Sequence, residues 1–188
     1  MVYVVAIAGS PSYPSKSYAI LEYATKILQQ QKIQTEIISI RDLTPEDLIF
    51  GQYDSPTFEP TKAIVANANA LIIATPIYKA AYTGLLKAFL DLLPQKAFSG
   101  KVILPLATGG SLAHLLSVDY ALKPVLSELG ARYILGTIYL VDKQIQLQAN
   151  GEVQLNEDSD QRLKAALQEL VAVSNGLPAI SQELVKTT

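Results

Sequence analysis

The chain has 188 residues, 49% of them hydrophobic and 17% charged, with a formal net charge of −2. That length suits one domain with a single large core, and that charge gives no general attraction to nucleic acid or to an anionic membrane. There is no cysteine and one histidine, His114, which excludes disulfides, thiolate metal centres, iron–sulfur clusters and a multi-histidine metal site within the chain.

Residues 2–8 are continuously apolar and rich in β-branched side chains, the pattern of a strand buried on both faces. No basic stretch precedes them, so they read as a strand and not a leader. No apolar run reaches the ~20 residues of a membrane span, and the expected compartment is the cytoplasm. Gly9 ends the strand and a polar loop runs from Ser10 to Ser17. Ile20, Leu21, Ala24, Ile27 and Leu28 then recur at helical spacing. Residues 33–40 read as a second strand, Thr44 and Pro45 as the start of a short helix, residues 60–69 as a helix, and Leu71 to Ala74 as a third strand.

The second half repeats this grammar. Leu85, Leu86, Phe89, Leu90 and Leu93 share one face of a helix, Lys87 and Asp91 pair on the other, and Pro94 stops it. A fourth strand follows at 102–107, a long helix at 112–129, a fifth strand at 133–141 and a small polar hairpin at 144–155. Leu163, Ala166, Leu167, Leu170 and Val171 build a closing amphipathic helix. Strands alternating with helices require right-handed crossovers onto a parallel sheet. The predicted fold is therefore α/β: a three-layer, doubly wound, five-stranded parallel sheet in the flavodoxin-like order 2-1-3-4-5. Residues 1–176 are expected to form one domain and 177–188 a mobile tail.

Ligands of an open parallel sheet bind beyond the carboxyl ends of its strands, near the switch in strand order. That rule selects three loops. The first, Gly9 to Ser17, offers four serine hydroxyls, a helix N-terminus and Lys16, the partners a phosphate wants; the same serines also suit a capped turn. It contains neither Gly-x-x-x-x-Gly-Lys nor Gly-x-Gly-x-x-Gly, so a P-loop and a Rossmann dinucleotide site have no support. Ala8, Gly9 and Ala74 stand where a receiver domain needs acidic residues. The second loop, Thr75 to Gly84, carries Pro76, Tyr78 and Tyr82, able either to lie along a flat heterocycle or to pack beneath the loop. The third, Ala107 to Ser111, has two glycines that admit close approach of a planar ligand. Together the loops ask for a phosphate at the first and a flat ring between the other two, the shape of flavin mononucleotide (FMN).

Four stretches, Ala8-Gly-Ser-Pro11, Ala74 to Gly84, Leu90 to Pro94 and Leu104 to Gly110, resemble the NADPH-dependent FMN reductases. Residues 113–124 (Ala-His-Leu-Leu-Ser-Val-Asp-Tyr-Ala-Leu-Lys-Pro) narrow the resemblance to the sulfonate-utilisation branch, the partners of alkanesulfonate monooxygenases. The resemblance implies reduction of FMN by NADPH or NADH, with reduced flavin passed to a separate monooxygenase. It implies that Ser10, Ser15 and Ser17, helped by Lys16, hold the FMN phosphate. Pro76, Ile77, Tyr78 and Lys79 would line the isoalloxazine, with Thr108, Gly109, Gly110 and Ser111 on its other edge. Ser12 stands where the family often has arginine, and Lys16 offers a point charge instead. Direct hydride transfer from nicotinamide to flavin needs position and electrostatics but no acid–base side chain, so no catalytic residue is nominated.

Asp119 takes a slot in the long helix where an apolar residue is due, and Pro124 has no N–H for the carbonyl of Tyr120. A kink or π-bulge is predicted there. The resemblance associates a tyrosine at this position with a π-helix at a tetramer interface beside the flavin site, which makes Tyr120 a candidate gate and FMN a releasable substrate. His114 reads as a packed or interface residue. A Ser111–His114–Asp119 triad is rejected, since no Gly-x-Ser-x-Gly elbow exists. Two rival readings keep FMN bound: a quinone, azo-dye or metal-oxyanion reductase, and an electron carrier, which the small net charge disfavours.

Overall fold

That β1 (Tyr3–Ala8) lies inside the sheet, with a strand on either side, follows from its side chains, since Val4 to Ala8 are all buried. In the computed structural model, which describes residues 2–149 and 151–177, β1 pairs in parallel with β2 (Gln34–Ser39) on one side and β3 (Ala70–Pro76) on the other. β4 (Val102–Gly109) pairs with β3, and the fifth position is shared by β5 (Tyr133–Ile134) and β6 (Ile138–Val141). The order β2-β1-β3-β4 and then the fifth position is the flavodoxin-like arrangement.

Period-two alternation divides the core. Val4 and Ala6 face a layer made by α1 (Lys16–Gln30) and α6 (Glu157–Gly176), while Val5 and Ile7 face the opposite layer. That second layer holds α2 (Pro45–Phe50), α3 (Glu59–Asn67), α4 (Gly84–Asp91) and α5 (Lys123–Glu128). Phe58 and Phe89 meet edge to face within it, ring centroids 5.8 Å apart. The polar hairpin forms as β7 (Ile145–Leu147) and β8 (Val153–Leu155). Lys101, buried at the start of β4, donates to the carbonyls of Ala66 and Ala68, both at 2.7 Å, and so caps the end of α3. Burial lowers its pKa from 10.5 to about 8.

Two expectations need correction. The fifth strand is not continuous. Leu135 N–H donates to Ile103 O at 2.9 Å, so odd-numbered residues of β4 turn their backbone groups toward the fifth position. Pro105 is one of them and has no N–H to give, and the strand breaks opposite it, between Ile134 and Ile138. Nor is 112–129 one long helix. A 3₁₀ turn at Leu112–His114 and a π-helix at Val118–Leu122 precede α5. Val118, Leu122, Leu126 and Leu129 face the core, whereas Leu112, Leu115 and Leu116 are exposed. The π-turn falls where Pro124 forbids an α-helical bond to Tyr120, and Lys123 N–H reaches back five residues to Val118 O instead. Beyond Leu177 the expected tail lies outside the described residues.

Candidate functional site

The carboxyl ends of β1, β3 and β4 open into a cleft of about 230 Å³. Its near end is the loop after β1. Gly9 is required there by close packing: its N–H donates to Ala74 O at 2.8 Å, and a Cβ would lie 3.0 Å from both Ala74 O and Leu86 Cβ. Ser15 caps α1 by accepting from Tyr18 N–H, and its hydroxyl lies 3.0 Å from that of Ser17. Ser10 Oγ accepts from Ser12 N–H at 3.2 Å. The serines therefore shape the loop as well as face the cleft. The first-turn N–H groups of α1 and their dipole favour an anion at this end.

The far end is built by the loops after β3 and β4. Ile77 N–H donates to Thr108 O at 2.7 Å, carrying the β3–β4 pairing past the ladder and holding the two loops together. Tyr78 and Ala81 exchange backbone hydrogen bonds around a two-residue turn in which Lys79 (φ 50°) and Ala80 (φ 63°) are both left-handed. Such a turn normally carries Asn-Gly, so this one stores strain beside the cleft. Buried Thr83 joins the first two loops: its hydroxyl caps α4 through Leu86 N–H and donates to Gly9 O, while its N–H donates to Thr75 Oγ1.

Ser10, Ser15, Lys16, Pro76, Ile77, Tyr78, Thr108, Gly109 and Gly110 line the cleft together. Ser17 is buried behind Ser15, Lys79 is exposed on its turn, and Ser111 caps the following 3₁₀ turn. Tyr120 is 79% exposed on the π-helix, beside exposed Leu112, Leu115 and Leu116, and does not line the cleft. His114 is also exposed, not packed within the chain. The two glycines of the third loop differ in purpose. A Cβ on Gly110 would meet nothing, but one on Gly109 would strike the Tyr139 hydroxyl at 2.2 Å. Gly109 is thus demanded from inside the protein. Tyr139, almost fully buried in β6, donates to Ser111 O at 2.9 Å and props the third loop from beneath. Burial, with the Asp142 charge adding to it, pushes its pKa up.

Sequence reasoning missed Tyr139, Thr83 and Asp142. Asp142 lines the cleft from the end of β6 and pairs with Lys16 at 2.9 Å. The strand-end rule would have found it if applied to the fifth strand as well. Among the described residues no cluster of His, Cys, Asp or Glu could hold a metal, and no helix is long and apolar enough to cross a membrane.

Fold and cleft together define a flavodoxin-like α/β protein with a cleft at the carboxyl ends of its strands, where such sheets bind ligands. The sequence model of the NADPH-dependent FMN reductases matches residues 2–146. The chain is 46% identical over 165 residues to the FMN reductase (NADPH) of Escherichia coli K12, covering 88% of this chain and 86% of that protein. It is 43% identical over 166 residues to the FMN reductase (NADPH) of Pseudomonas putida KT2440, covering 88% and 84%. The apo crystal structure of an NADH:FMN oxidoreductase superposes with a TM-score of 0.82 at 38% identity, covering 97% of this chain and 93% of that one. The chain belongs to the NADPH-dependent FMN reductase family of oxidoreductases.

Proposed function

We propose that the protein reduces FMN with NAD(P)H by direct hydride transfer and releases reduced flavin to a partner alkanesulfonate monooxygenase. The observation that carries this is the single cleft joining the hydroxyl-rich N-terminus of α1 to the loops after β3 and β4, in a chain of this family. FMN fits the donor set: a phosphate at one end, where helix N–H groups, Ser10, Ser15 and Lys16 gather with Ser17 behind Ser15, and a flat ring at the other, where the Cβ direction of Gly110 is open. When bound, the flavin supplies the hydride-accepting chemistry.

The chain's own part is positional. Thr83 and the Ile77–Thr108 bond hold the three loops at fixed spacing, which keeps the ring-binding walls, Pro76 to Lys79 and Thr108 to Ser111, in one geometry. With flavin bound, wall N–H groups not already given to Thr108 O (Ile77) and Ala81 O (Tyr78) would be the ones to face the charge of a reduced ring. No side chain has to move a proton. Relatives named for NADPH and for NADH leave both nucleotides as donors to test. We also propose a homotetramer formed through the exposed Leu112, Leu115, Leu116 and Tyr120 surface, with Tyr120 controlling flavin release, and a single FMN-binding domain over residues 1–176.

The test is NADPH and NADH oxidation by purified protein with and without added FMN, together with its visible spectrum. A colourless protein whose turnover depends on micromolar FMN is the expected result. A yellow protein that turns over only with a quinone, dye or protein acceptor would overturn it in favour of a bound-FMN reductase or carrier.

A further inference from the structure

Lys16 has two calls on its charge. It is the first residue of α1, at the end of the cleft read above as the phosphate site, and its ammonium group already pairs with the Asp142 carboxylate at 2.9 Å. Both side chains line the same cleft, Lys16 about one-third exposed and Asp142 just over half. The local turn does not require the pair: Asp142 begins a short 3₁₀ turn after β6 that is closed by Gln144, whose Oε1 accepts from Val141 N–H at 2.8 Å. The Asp142 side chain is free to be an amide as far as that turn is concerned. A carboxylate facing an anion site is a cost, because like charges at short range repel and because a point-charge ammonium cannot serve two anions fully.

We infer that Asp142 is an affinity-setting residue for the flavin substrate: it competes with the phosphate of FMN for Lys16, so that the pair keeps FMN exchangeable. The inference rests on the reading of the first loop as the phosphate site. Phosphate arriving at the α1 N-terminus must take Lys16 from Asp142 and leave the carboxylate solvated beside it. Phosphate leaving is helped by the carboxylate recapturing the ammonium. A surface ion pair of this exposure is worth up to about 1 kcal/mol, which corresponds to about fivefold in affinity. A flavin without phosphate does not compete for Lys16 and is indifferent to Asp142.

The experiment is titration of FMN and of riboflavin, by flavin fluorescence, into the wild type, Asp142→Asn, Lys16→Met and the double variant. Melting curves of each confirm folding. Asp142→Asn should bind FMN about fivefold more tightly, slow its dissociation and leave riboflavin unchanged, and most of the gain should be lost in the Lys16→Met background, where only the relief of like-charge repulsion is left. An equal gain with Lys16→Met present would overturn competition for Lys16 in favour of plain repulsion. A weaker or unchanged FMN affinity in Asp142→Asn would overturn the inference outright, and parallel losses of FMN and riboflavin would make Asp142 a ribityl ligand instead. If wild type binds both flavins equally and Lys16→Met changes neither, the phosphate reading itself fails.

Discussion

Gly109→Ala is the sharpest test of how the third loop is held. The new Cβ would sit 2.2 Å from Tyr139 Oη and 3.1 Å from Tyr139 Cζ. Ordinary C···O contacts begin at about 3.3 Å, so tyrosine or loop must shift by roughly an ångström. The ring is 2% exposed and packed within the core, which makes this an overpacking change worth about 1–3 kcal/mol. Any shift also breaks the bond from Tyr139 to Ser111 O, worth about 1 kcal/mol. The sum, about 2–4 kcal/mol, lowers Tm by roughly 4–16 °C in a chain of this size. Tyr139→Phe removes the clashing atom and leaves the 3.1 Å contact, which a few tenths of an ångström relieve. In that background Gly109→Ala should therefore cost at least about 1 kcal/mol less. Thermal and urea unfolding of the four proteins measure the cycle. A Gly109→Ala protein that melts within about 2 °C of wild type, or an equal loss in both backgrounds, refutes the reasoning.

Lys101 predicts alkaline stabilisation. Its pKa is about 8 folded against an ordinary 10.5, so between those values the unfolded chain holds a proton that the folded chain has released, and stability rises with pH. Tyr3 acts oppositely: burial and its hydrogen bond to Glu36 raise it from 10.0 to about 12, so stability falls across that window. Urea midpoints should climb from pH 8 to 10 and then decline, and Lys101→Met should flatten the climb; a wild type with no climb contradicts the assignment. Replacing Lys79-Ala80 by Asn-Gly should relieve the left-handed strain of that turn and stabilise the protein by about 0.5–1 kcal/mol. A lower Tm would show that the turn is not strained. Tyr120→Ala should leave the chain folded but purify it yellow, with FMN retained. A colourless variant with unchanged turnover of free FMN would count against gating.

Much of this molecule was legible from the chain alone, because the physics is local. Continuous apolar runs specify strands buried on both faces, and apolar residues at helical spacing specify their covering helices, so element order and sheet topology followed from periodicity and the handedness of crossovers. The three loops of the cleft followed too, since the strand ends that carry a site are fixed by topology. Even the π-turn at Tyr120 was announced by Pro124, whose missing N–H is a covalent fact. What tertiary structure decided is whatever depends on which residues meet across the sheet. Pro105 breaks the fifth strand only because its bare nitrogen faces that way. Gly109 is glycine because Tyr139, thirty positions on, fills the space beneath it. Lys16 meets Asp142 across 126 residues of sequence, since the ends of β1 and β6, with β3 and β4 between them in the sheet, open into one cleft. Pairings at such separations leave no period in the sequence, and only the assembled sheet creates them.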